Sequence, residues 1–245
     1  MYSYEKKVGY SVTDETLTMT ISAILDSFQD AAIFEAEDGR INMDYLADRH
    51  IAWLLGSWKI VIERRPKLNE RIKITTSPYD FKGFLGYRYF TLSGEDGSVI
   101  IKAASIWTLI DIEKQRPAKP TQEIIDGYEL AKIIDMDYTS RKIPILGEGT
   151  ESEHFTVRKY QIDSNRHMNN VEYVKLAMES LPDDAVVKEL RTEYKKAAHL
   201  GDKVISKVCS AGEKWQVVLQ DEQGETYAIV EFILKLGEGK EGSYE

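Results

Sequence analysis

Residues 163–173, Asp-Ser-Asn-Arg-His-Met-Asn-Asn-Val-Glu-Tyr, crowd a carboxylate (Asp163), an imidazole (His167) and carboxamides (Asn165, Asn169, Asn170) into one short stretch. A carboxylate can take a proton from water, and imidazole or carboxamide groups can orient that water and a carbonyl. Backbone N–H groups at a helix start can receive an oxyanion. Val171, Val174, Leu176, Ala177 and Met178 recur at helical intervals until Leu181 and Pro182, so a helix is predicted over 170–181, with Asn169 or Asn170 as its N-cap. If the preceding segment is extended, Asp163, Asn165 and His167 alternate onto one face. An Asp/Asn-rich stretch ahead of a helix is most often a turn plus a cap. The density of polar groups is what sets this one apart.

The elements that must hold this cluster are written in a chain of 245 residues, long enough for one large domain or two ordinary ones, with 42% apolar residues to fill a core. Apolar runs such as 51–55 and 103–106 fall far short of the roughly 20 residues of a membrane span. Met1–Tyr10 lacks an apolar signal core, which points to the cytoplasm. The single cysteine, Cys209, cannot form an internal disulfide, suits a reducing compartment, and reads as a structural thiol in a strand over 204–210. His50, His154, His167 and His199 lack metal-ligand spacing, so neither metal nor cofactor is expected. Net charge, 32 − 41 = −9, argues against nucleic acid as a partner.

An apolar stripe of Ile21, Ile24, Leu25, Phe28, Ala32 and Ile33 predicts a helix near 21–36, closed by Asp38-Gly39. A strand-rich block follows over about 58–112, with a turn at 94–97. Residues 121–134 read as a connecting helix and 136–153 as a linker. The plan then recurs: a helix from 170, strands from Lys188, a turn at 221–224 and a last strand over 227–235. Pro66-Lys-Leu-Asn-Glu-Arg-Ile72 echoes Ala198-His-Leu-Gly-Asp-Lys-Val204, which favours a tandem repeat of a long helix on an antiparallel sheet, an α+β architecture. The first half, with Thr16–Ser22 as counterpart, shows nothing like the Asp163 cluster. One half would therefore hold the chemistry while the other offers apolar surface for a substrate tail.

These residues resemble the acyl-acyl carrier protein (acyl-ACP) thioesterases, bacterial chains similar to the plant enzymes. The likeness runs through Asp163–Tyr173, through Trp53–Pro66 and through Ala104–Asp111. The resemblance implies a tandem (double) hot dog fold: an N-terminal domain over 1–135 with the acyl-chain pocket, a linker over 136–153, and a catalytic domain over 154–236. A tail over 237–245, rich in Gly and Glu, reads as disordered. It also implies hydrolysis of a fatty acyl-phosphopantetheine thioester on acyl carrier protein. Asp163 would act as general base on a water, with direct attack on the carbonyl as the less favoured alternative, Asn165 and His167 would orient the reactants, and Asn169 and Asn170 would support an oxyanion site. Plant members place Glu-Cys where this chain has Ala197-Ala198, so no cysteine thiolate acts at that position. Glu193 reads as too far upstream to replace the pair, and His199 as a surface histidine. Phe28, Trp53 and Trp58 are candidates to line the tail's tunnel. Arg64, Arg65, Lys67 and Arg71, or Lys188, Arg191, Lys195 and Lys196, are candidates for a landing surface for the acidic carrier. An acyl-CoA thioesterase and a non-catalytic acyl-binding sensor are the alternatives, and pairing as a homodimer is left open.

Overall fold

The computed structural model describes residues 1–132, 134–136, 138 and 140–235, so the 237–245 tail lies outside the described residues. The chain divides into two units, Met1–Arg141 and Lys142–Glu245. The first unit runs β1 (Tyr2–Lys7), a 3-10 turn (Tyr10–Val12), α1 (Ile21–Glu37), α2 (Met43–Asp48), β2 (Ile51–Ile62), β3 (Arg71–Lys82), β4 (Leu85–Ser93), β5 (Val99–Asp111), the short β6 (Arg116–Pro117) and α3 (Gln122–Asp126). Its main strands pair antiparallel in the order β1-β3-β4-β5-β2, and α1 packs on β1 and β3.

α1 begins where the Thr20 hydroxyl accepts the Ala23 N–H at 3.2 Å, satisfying one of the donors a helix start leaves open. Its buried face carries Ile24, Leu25, Phe28 and Ala31, and the Phe28 ring meets Trp58 and Phe90 at 6.1 and 5.2 Å. Burial of a Phe side chain stabilises by about 1.5–3 kcal/mol, so this trio anchors the unit. Ile33, expected in the stripe, is instead exposed. Five residues past Phe28, it lies ~140° around the helix.

The second unit runs β7 (Thr150–Thr156), a 3-10 turn (Lys159–Gln161), α4 (Asn170–Met178), β8 (Val186–Tyr194), β9 (Lys203–Ala211), β10 (Lys214–Gln220) and β11 (Thr226–Lys235). Its strands pair antiparallel in the order β7-β9-β10-β11-β8, the first unit's order repeated, and α4 packs on β10 and β11. α4 buries Val171, Tyr173, Val174 and Ala177 and ends earlier than read from the sequence, at Met178.

Further boundaries differ from the sequence reading, and β2 begins at Ile51, ahead of the strand block expected from about 58. The helix expected over 121–134 is confined to Gln122–Asp126 among the described residues, which do not include Ile133. Gly127 ends it, sitting so close to Ile41 that an added Cβ would lie 2.4 Å from Cγ1, and the backbones of Glu129 and Ala131 then bond to Ser77 and Pro78 of β3. The segment 136–153 is not linker throughout, because β7 begins at Thr150 and pairs with β9. Most of β7 is solvent-exposed, so it shows no apolar alternation.

Candidate active site

The segment read as extended is a tight turn. Asp163 N–H donates to His167 O at 2.8 Å and Arg166 N–H to Asp163 O at 3.0 Å, while Ile162 and Met168 form an antiparallel bridge beneath. Arg166 takes the left-handed conformation the reversal needs, φ 62°. Asp163 Oδ1 holds the turn from inside, accepting the N–H groups of Asn165 (2.8 Å) and His167 (3.3 Å). Asp163 Oδ2 has no hydrogen-bond partner among the described residues. The fold therefore brings Asp163 and His167 together at the base of the turn and leaves Asn165 exposed at its tip, joined to the aspartate through its backbone.

The turn feeds directly into α4. Met168 N–H donates to Ala198 O (2.8 Å), Asn169 N–H to Gln161 O (2.9 Å), and Asn169 Oδ1 caps the helix by accepting the Val171 N–H at 2.9 Å. Glu172 N–H is also engaged, by Asn169 O at 2.9 Å. The helix start is thus less open than the sequence suggested. Asn170, the first helical residue with no preceding turn to donate into, keeps a free N–H among the described residues, and its carbonyl accepts the Tyr194 hydroxyl at 2.9 Å.

Three residues around this start were given no catalytic role from the sequence. Buried Glu172 accepts from Gln161 Nε2 at 3.0 Å and pairs with Lys175, tying the 3-10 turn to the helix. The buried Tyr173 hydroxyl accepts the Ala198 N–H at 2.8 Å. Burial pushes its phenol up to about 12, the Ala198 bond pulls the other way, and the neighbouring Tyr227, Asp163 and Asp202 add to the rise, so Tyr173 stays neutral. His199, read as a surface residue, has a largely exposed side chain, yet its ring meets His167 edge-on with centroids 4.9 Å apart. Asp202 accepts the His199 N–H at 2.8 Å and the Tyr227 hydroxyl at 3.2 Å.

Other candidates are occupied elsewhere. Glu193 accepts the Ile143 N–H at 2.8 Å. Arg64 pairs with Glu70, Arg65 with Asp14, Arg191 with Glu231, and Lys196 with Asp221 and Glu225, so much of each expected landing surface is neutralised within its own unit. Phe28 and Trp58 are packed core, and Trp53 is half-buried against Phe81 at 5.8 Å. Cys209 is a free, half-buried thiol on β9. Among the described residues no group of three or more His, Cys, Asp or Glu side chains could hold a metal ion, and no helix is long and apolar enough to cross a membrane.

The first unit contains the same turn, contrary to the expectation from its sequence. Its counterpart starts at Asp14, two residues before the segment read as equivalent. Asp14 N–H donates to Thr18 O (3.0 Å), Asp14 Oδ1 accepts Thr16 N–H (3.0 Å) and Thr18 N–H (3.4 Å), and Leu17 takes φ 56°. Met19 N–H donates to Pro66 O at 2.8 Å as Met168 N–H does to Ala198 O, and Thr20 N–H to Val12 O as Asn169 N–H does to Gln161 O. The copies differ in their side chains: Thr18 stands where His167 is, and Arg65 grips the second Asp14 oxygen.

Residues 1–128 match the acyl-ACP thioesterase N-terminal domain and residues 147–236 the acyl-ACP thioesterase C-terminal domain. The chain is similar to the chloroplastic oleoyl-acyl carrier protein thioesterase 2 of Arabidopsis thaliana, 24% identical over 220 residues that cover 83% of this chain and 59% of that protein. Among solved structures it is similar to an acyl-ACP thioesterase from Bacteroides thetaiotaomicron VPI-5482 (TM-score 0.88, 18% identity, 95% of this chain and 97% of that one). It is similar also to the 12:0-ACP thioesterase from Umbellularia californica (TM-score 0.82, 16% identity, 96% of each chain). The fold is the α+β double hot dog. The chain spans about half the length of the curated relatives it matches.

Proposed function

Because the chain belongs to the acyl-ACP thioesterase family, we propose that it hydrolyses fatty acyl thioesters of acyl carrier protein, with Asp163 as general base. The observation that carries this reading is the division of labour within one carboxylate: Oδ1 holds the turn, while Oδ2 has no partner among the described residues, in the turn that leads into α4. In the proposed step Asp163 takes a proton from water and the hydroxide adds to the thioester carbonyl carbon. The carbonyl oxygen becomes an oxyanion, for which the Asn170 N–H is the available backbone donor; such a donor is worth on the order of 3 kcal/mol elsewhere. The C–S bond then breaks and the phosphopantetheine thiolate leaves, taking up the proton from Asp163. A thiol ionises far more readily than an alcohol, so this departure needs little assistance. His167 and Asn165 orient the water and the carbonyl. The compartment is assigned to the cytoplasm.

The test is release of free thiol from a purified long-chain acyl-ACP. Asp163→Asn should lower turnover by about 10²–10⁴-fold. Its melting temperature should hold, because an asparagine Oδ1 can still accept both turn N–H groups. His167→Ala and Asn165→Ala should each cost less. Turnover of Asp163→Asn within a few-fold of wild type would remove Asp163 from the mechanism, and a reversed ranking would make His167 the base. Running the acyl-CoA thioester alongside separates the carrier-protein substrate from the CoA one.

A further inference from the structure

The two turns can be superposed bond by bond, and that correspondence extends to the segment each turn is tied to. Val8 N–H donates to Glu70 O and accepts Asn69 N–H on its carbonyl, as Val157 does with Asp202 and Gly201. Met19 bonds to Pro66 as Met168 bonds to Ala198. β2 ends at Ile62 and β8 at Tyr194, so the third residue past each strand is Arg65 in one unit and Ala197 in the other. Arg65 Nη1 donates to Asp14 Oδ2 and, at 3.3 Å, to the Met19 carbonyl. Ala197 has no atom beyond Cβ with which to do either.

We propose that position 197 sets the availability of the loop carboxylate: alanine there leaves Asp163 Oδ2 unpaired among the described residues and open to water, whereas arginine at the same place in the first unit holds Asp14 shut. Ala197 is then a positioning residue through the side chain it lacks, and the first unit is a locked copy of the turn. Its consequence for turnover rests on the general-base reading of Asp163. The geometric part does not.

Ala197→Arg, Ala197→Gln and Asp163→Asn, alone and combined, test both parts. The guanidinium of Ala197→Arg should reach Asp163, raising the melting temperature, and the rise should vanish in the Asp163→Asn background, because the two changes report on one contact. Turnover of the acyl thioester should fall at least 100-fold in Ala197→Arg and stay within about five-fold in Ala197→Gln, which fills similar space without charge. Arg65→Ala combined with Asp14→Asn provides the same cycle in the first unit with no engineered residue, and it should show the same coupling. Absence of coupling in the first unit, or equal losses in Ala197→Arg and Ala197→Gln, would overturn the proposal. If Ala197→Arg shows coupling but keeps its turnover while Asp163→Asn has lost its own, the availability claim fails and the general-base reading survives. If Asp163→Asn also keeps turnover, the general-base reading fails, and the coupling alone decides the geometric claim.

Discussion

The turn over residues 14–20 and the turn over 163–169 share a backbone and diverge in what surrounds it. In both, the aspartate's first oxygen accepts two N–H groups of its own loop. The second oxygen of Asp14 is fixed by Arg65, and burial notwithstanding, the bonds from Thr16 and Arg65 hold its carboxyl at about 2. Around Asp163, a histidine, His167, stands where the first copy has Thr18, and Ala197 where the first copy has arginine. The aspartate is thus a structural group before it is a chemical one. Its presence alone does not mark a reactive site, and what distinguishes the copies is whether the remaining oxygen has been taken.

The comparison breaks most sharply at turnover. Asp14→Asn should leave acyl thioester hydrolysis within about two-fold while Asp163→Asn abolishes most of it; equal losses would mean the two turns are not functionally distinct. Stability should show the reverse. The lowering of Asp14 from 3.8 to about 2 amounts to at most ~2.4 kcal/mol, and with the pair partly exposed about 1–2 kcal/mol remains. Because the folded value lies below the ordinary one, this contribution is present above 3.8 and is lost as pH falls through about 2. Thermal melts of wild type and Asp14→Asn should therefore converge as pH drops from about 5 to about 2. A gap that persists to the acid end would assign the stability to something other than the charged Asp14 carboxylate and its bonds to Thr16 and Arg65.

Smaller effects sharpen the same contrast. Thr20→Ala and Asn169→Ala each remove a cap and should each cost about 1 kcal/mol by denaturant titration. Asn169→Ala should also lower turnover, because the cap fixes the start of α4. Leu17→Gly and Arg166→Gly relieve a left-handed residue at φ 56° and 62° but loosen the unfolded chain, so each should change stability by no more than about 0.5 kcal/mol. A large difference between them would show that the two backbones are not held alike.

Much of this was written in the residue pattern, for reasons that also explain what was not. α1 carries its apolar face at helical intervals, and the Asp163 cluster stands out by its polar density, so both are legible. α2 is six residues long with no buried residue, and β7 is an exposed edge, so neither leaves a periodic mark. The Asp14 turn was hidden by its composition: Asp-Glu-Thr-Leu-Thr-Met-Thr shares two identities with Asp163–Asn169, and the similarity lies in backbone bonds that serine, threonine or asparagine accommodate equally. The His167–His199 contact joins residues on different segments, and no local pattern announces it. The capping role of Asn169 was one of two alternatives, and only the bond to Val171 separates them.

The Tyr173–Ala198 bond carries a lesson for anyone who would move parts between the halves. In the first unit the matching residues are Ile24, with no hydroxyl, and Pro66, with no amide hydrogen, so each copy keeps a compatible couple. A single transplant is mismatched: Ala198→Pro strands a buried phenol, and Tyr173→Ile strands an amide, whereas both together restore a nonpolar joint. Chimeras between the repeats should tolerate grafts that carry the couple intact and resist those that split it.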